Sequence, residues 1–237
     1  MDPVNRTPAV PFGTATVATA ERVTTFLRTV YGWMCAGLAI TALVAYSVAS
    51  TGIAQVLVSN YLLFLGLFVA QIGIVFYLSA RVNRIEPGTA TVLFIGYAAL
   101  TGVTLSILVL VYTGASIATT FVVTAGMFGA LALYGTTTSR SLAGVGQFAF
   151  MGLIGLLLAS FVGFFWHSQA LQFLISVVGV IVFTGLTAWD AQNLKQMAGQ
   201  LPEDKVASYA IVGALRLYLN FINLFLFLLR FMGGRRQ

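Results

Sequence analysis

Six residues of this 237-residue chain are acidic. One of them, Asp190, closes an otherwise apolar run, LQFLISVVGVIVFTGLTAWD, while Asp2, Glu21, Glu86, Glu203 and Asp204 sit in tails or polar joints. A carboxylate at membrane depth costs roughly 2.5–3.5 kcal/mol on insertion scales, so it persists mainly where it faces protein or water and has a task. The last apolar segment, ALRLYLNFINLFLFLLRF, places Arg216, Asn220 and Asn223 at offsets of four and three. On a helix these three share one face. An acid opposite an Arg- and amide-bearing face can attract a cation, hold a latch or move a proton.

Each group also has a plain structural reading. Asp190 can end its helix at headgroup level, with Trp189 beside it as an interface anchor. Asn220 and Asn223 can serve as interhelical glue worth about 0.6–2 kcal/mol per contact. Arg216, about two turns into its segment, can pair with Asp190 or snorkel to the interface. Arg81 can anchor the end of its segment or latch onto Asp190. Thr184 and Thr187 extend the Asp190 face by two hydroxyls.

Other chemistry finds little support. His167 is the single histidine and Cys35 the single cysteine, so no His/Cys cluster with metal-ligand spacing exists. Cys35 reads as a buried small apolar residue. His167 reads as a solvated interfacial side chain on the side opposite Asp190. No lysine lies within an apolar run, which excludes a retinal Schiff base. No second intramembrane carboxylate, GxSG motif or P-loop is found. The chain is expected not to be an enzyme and to need no cofactor.

The elements that must position these residues are set by composition. The chain is 59% hydrophobic and 8% charged, with mean hydropathy +0.96. Soluble domains are about a quarter charged, so this is an integral membrane protein of the all-α class. Apolar runs near 29–49, 54–79, 89–112, 117–134, 143–165, 169–190 and 208–231 are each long enough to cross about 30 Å of hydrocarbon. Residues 1–20 lack a signal-peptide pattern and read as a disordered cytoplasmic tail, with residues 21–237 as one seven-helix domain.

The net charge of +6 suits anionic headgroups rather than nucleic acid, because the basic residues cluster at the ends of apolar runs. Arg6, Arg22, Arg28, Arg81, Arg84, Arg140, Lys195 and Lys205 fall in the N-terminal region and the joints after runs two, four and six; the other three joints carry none. The positive-inside rule then places the N-terminus in the cytoplasm. Seven crossings leave Arg230, Arg235 and Arg236 outside, against that rule. The seventh run is therefore either a full crossing held by its neighbours, the favoured reading, or re-entrant.

The stretches GLTAWDAQNLK (185–195) and GALRLYLNFINLFLFLLR (213–230), with RVNRIEPGTA (81–90), resemble the Bax inhibitor family in its bacterial branch. The resemblance covers nearly all of 20–237. It implies six transmembrane helices around a central, polar seventh, and a pH-sensitive calcium leak across a bacterial inner membrane. It also implies a pair of aspartates as pH sensor and an arginine as their latch. Asp190 matches the first aspartate and is the expected transient Ca²⁺ ligand; Arg81 is the best match for the arginine. The second aspartate is replaced by Asn220. Two close carboxylates share a coupled titration that one alone cannot show, and Ca²⁺ prefers several charged oxygens. A site resembling the protonated pair, with weaker calcium attraction, is expected. The rival reading is a regulatory module that binds a membrane-anchored protease or another membrane assembly, as some bacterial relatives are described.

Overall fold

Long apolar runs become helices in a bilayer because every backbone N–H and C=O must be satisfied within the segment. The computed structural model describes residues 12–166, 168–234 and 236. Among them are eight α-helices: α1 Phe12–Ser50, α2 Ile53–Ser59, α3 Tyr61–Arg81, α4 Pro87–Val111, α5 Gly114–Thr137, α6 Ala143–Phe165, α7 Gln169–Ala198 and α8 Val206–Met232. Seven are long and apolar enough to cross a membrane; α2 is the exception.

Two expectations change. The second apolar run, 54–79, is not one helix. Asn60 takes an extended backbone, and its side chain accepts the Leu63 amide at 3.1 Å as the cap of α3. Gly52, with φ 77°, makes the left-handed turn into α2. The crossing is therefore α3 alone. At the other boundary, α1 starts at Phe12, inside the stretch read as a disordered tail; residues 1–11 lie outside the described residues, as does His167. Cys35 is exposed on the outer face of α1 rather than buried.

The helix ends carry local signals. Pro87 opens α4, where its missing N–H is harmless. Thr113 and Ser168 cap α5 and α7 by accepting from Ser116 and Leu171 amides.

The centre is α8, of whose apolar window 67% is buried, against 6–39% for the other six spans. It packs on α7, α1, α5 and α4, and lightly on α3. The most extensive pair is α1 with α4, while α6 packs on α7 and α3 on α4. Close approach needs missing side chains. A Cβ at Gly102 of α4 would stand 2.7 Å from the Thr41 carbonyl oxygen of α1. At Gly135 of α5 it would collide with the Ala188 carbonyl of α7, two residues before Asp190.

A polar knot ties α1, α4 and α8 within this core. The Thr41 hydroxyl meets the Tyr218 hydroxyl at 2.7 Å and also lies 2.9 Å from the carbonyl oxygens of Gly37 and Ala98. Tyr218 is fully buried, with Phe94 and Tyr97 edge-on to its ring at 5.9 and 5.8 Å.

The seventh crossing is complete. Near its start, the Ser208 hydroxyl donates to the Ile85 carbonyl in the α3–α4 joint. Beyond its end, the Thr113 amide of the α4–α5 joint donates to the Gly234 carbonyl and the Arg236 amide donates to the carbonyl of Val111, the last residue of α4. The chain thus ends opposite where α1 begins.

Candidate functional site

Asp190 lies eight residues before the end of α7, and Asn220 in the middle of α8. The two helices run antiparallel and in contact, which brings these side chains together. The Asn220 amide nitrogen donates to Asp190 Oδ2 at 2.7 Å. One turn earlier on α8, Arg216 Nη1 stands 3.5 Å from Asp190 Oδ1. Asp190 is 4% exposed and Asn220 5%, whereas the Arg216 side chain is 48% exposed.

The arrangement is a clasp. Both carboxylate oxygens are engaged, one by a neutral amide and one by a guanidinium. Burying a carboxylate alone would cost several kcal/mol; an opposite charge and a hydrogen bond offset that. Arg216 does both things expected of it, pairing at its tip while half of its side chain reaches the surface. Asn220 turns its N–H, not its carbonyl, towards the acid, so it completes the carboxylate instead of adding a cation ligand.

Of the five residues singled out in the sequence, the structure brings together Asp190, Asn220 and Arg216. Arg81 is elsewhere. Its guanidinium lies 5.3 Å from the Tyr77 ring centroid on its own helix. The cause is topological: α3 packs on α4, not beside α7. Among the described residues, Asp190 has one ion-pair partner, Arg216. Asn223 points away from the clasp and donates to the Leu219 carbonyl at 2.8 Å. It lines a cavity of about 670 Å³ between α6, α7 and α8, with Phe68 of α3 at its side.

The hydroxyls of Thr184 and Thr187 turn back to the Val180 and Phe183 carbonyls, each at 2.7 Å. They satisfy their own helix and do not serve the acid. Trp189 covers Gly146 of α6, so it is a packing residue and not an exposed anchor.

Gln192 was not anticipated. Buried at 6% exposure, its Oε1 accepts the Leu142 amide and its Nε2 donates to the Arg140 carbonyl, each at 2.8 Å. One side chain two residues beyond Asp190 therefore fixes the α5–α6 joint to α7. Lys195 adds a bond to the Thr136 carbonyl at 2.6 Å. The signal available was a second polar residue on a helix that continues past its apolar run.

A family model described as inhibitor of apoptosis-promoting Bax1 matches residues 23–237. The chain belongs to the Bax inhibitor family. It is 51% identical over 216 residues to the inner membrane protein YbhL of Escherichia coli K12, covering 90% of this chain and 92% of that protein. An uncharacterized protein of Borreliella burgdorferi is 46% identical over 215 residues, covering 90% and 93%. The uncharacterized protein YrjE of Lactococcus lactis is 37% identical over 217 residues, covering 90% and 92%. With the fold, this makes the chain a multipass membrane protein of the Bax inhibitor family.

Proposed function

We propose that this Bax inhibitor family protein is a pH-responsive calcium leak of a bacterial inner membrane, with its N-terminus cytoplasmic and its gate at Asp190. The observation that carries the reading is the clasp itself: a buried carboxylate on α7 facing the central helix, held by a guanidinium of that helix that reaches the surface. The likeness to an E. coli inner membrane protein supports the location. The basic residues at the end where α1 begins, Arg22, Arg81, Arg84, Arg140, Lys195 and Lys205, support the orientation.

In this scheme Arg216 is the resident cation of the site. A passing Ca²⁺ displaces it, meets the Asp190 carboxylate briefly and moves on. Calcium is cargo: it takes six to eight oxygens at a stable site, and Asp190 offers two. Among the described residues no three His, Cys, Asp or Glu side chains group to hold a metal. Protons act through one carboxylate, since Asn220 cannot titrate. No covalent catalysis is assigned to the protein.

The test is calcium-dye flux into liposomes bearing the purified protein. Wild type passes calcium slowly, Arg216→Gln faster and Asp190→Ala differently from both. Equal flux from wild type and both variants removes the gate from Asp190.

The neutrality of the Asp190–Arg216 pair favours a second reading, in which the protein binds and regulates a membrane-anchored protease or another membrane assembly. It predicts co-purification of such a partner that depends on residues 1–20, with no calcium flux above empty liposomes.

A further inference from the structure

The roughly 670 Å³ cavity is not explained by the clasp. Its size falls within the 300–1,000 Å³ or so of ordinary small-molecule sites. It opens sideways, because α6 packs on α7 and α3 on α4, leaving a cleft towards the bilayer where α3 and α6 face each other.

The lining is graded along the membrane normal. Ser160, Gln172 and Arg230 lie within a few residues of the ends of α6, α7 and α8 at the membrane face where the chain terminates. Leu153 and Phe183 lie at the other end of the cleft. Leu153 is twelve residues, about 18 Å, from the end of α6. The mouth is polar and cationic, and deeper in the lining is apolar apart from Asn223.

Arg230 is exposed, with its guanidinium 5.9 Å from the Phe227 ring centroid. Neither ion pair among the described residues uses it. The joints at that face, residues 51–60, 112–113 and 166–168, contain no lysine or arginine, so the basic residues there are Arg230, at the cleft, and Arg235 and Arg236, which follow α8 in the sequence.

We propose that this cleft binds one anionic phospholipid, with an acyl chain among Leu153, Leu157 and Phe183 and the phosphate at Arg230. Guanidinium and phosphate match in charge and geometry, and an acyl chain is the apolar filler a bilayer supplies. The acyl chain lies beside Asn223, one turn from Asn220. Lipid capture is measurable whether or not ions pass, so its failure is separate from failure of the leak reading.

The test is native mass spectrometry of full-length, delipidated protein titrated with palmitoyl-oleoyl phosphatidylglycerol, phosphatidylcholine of the same chains, or oleate. Wild type retains one phosphatidylglycerol about fivefold better than phosphatidylcholine, the preference expected from one basic residue near a headgroup. Arg230→Gln erases the preference, Arg230→Lys keeps most of it, and Arg84→Gln at the opposite face leaves it unchanged. Leu157→Trp, which fills the cleft from its lipid-facing wall, lowers retention of both phospholipids. Equal retention of the two by wild type, or a preference that survives Arg230→Gln, overturns the proposal. Oleate retained in place of phosphatidylglycerol, with the same dependence on Arg230, overturns it in favour of a fatty acid.

Discussion

Asn220 and Asp190, 30 positions apart in the chain, are joined by a 2.7 Å hydrogen bond in which the amide nitrogen donates to the carboxylate. With Arg216 on the other oxygen, both polar partners of the acid come from α8. The central helix thus supplies both the donor that satisfies the buried charge and the cation that neutralises it.

Removing the cation has two consequences. Arg216→Gln leaves Asp190 buried beside two neutral amides. Breaking a buried pair costs about 3–5 kcal/mol, but Arg216 is 48% exposed, and solvent reduces this to about 1–3 kcal/mol. Thermal unfolding in detergent shifts down accordingly. The proposed calcium flux rises in the same variant, so stability and flux move in opposite directions.

Asn220→Asp places a second carboxylate against the first. The two cannot both ionise cheaply and share a proton. That proton leaves as pH rises, adding negative charge, so calcium flux climbs with pH more steeply than in wild type. Flux measured in liposomes between pH 5 and 8 checks this, and parallel profiles count against a shared site.

Gln192→Leu removes both bonds between α7 and the α5–α6 joint. The buried Leu142 amide loses its partner, at about 1–3 kcal/mol for a donor left unsatisfied, while the carbonyl of the exposed Arg140 can turn to solvent at smaller cost. Hydrogen exchange quickens at residues 138–146 and stays unchanged in α4. Uniform protection across the joint would show that the helices hold it without Gln192.

Gly102→Val drives a side chain into Thr41 and Val44 of α1. Overpacking typically costs about 1–3 kcal/mol, and the folded yield falls. Gly129 of α5 has open space where its Cβ would be, so Gly129→Ala leaves yield and melting temperature near wild type. Thermal melts of the pair separate close helix approach from a general intolerance of larger residues.

Tyr218→Phe deletes one hydroxyl from the knot at Thr41, which keeps its bonds to the Gly37 and Ala98 carbonyls. The cost is that of one buried hydrogen bond, about 1 kcal/mol. A larger loss in a detergent melt would mean that the tyrosine organises more of the α1–α4–α8 core than this bond.

The architecture was legible in the sequence because hydrocarbon leaves an apolar run few options. Each run of sufficient length must be a helix, so all seven crossings could be counted, and the isolated Asp190 stood out by the cost of putting it there. The break at Asn60 escaped because α2 and α3 are equally apolar; it depends on a cap, not on hydropathy.

Partnership was a tertiary decision. The spacing of Arg216, Asn220 and Asn223 placed them on one face, but a helical face about two turns long can meet several neighbours. The pairing of α7 with α8 chose Arg216 and Asn220 for Asp190, left Asn223 beside the cleft, and kept Arg81 on a helix that packs elsewhere. Sequence periodicity specifies directions around a helix axis; which neighbour lies in each direction follows from how all the helices pack at once.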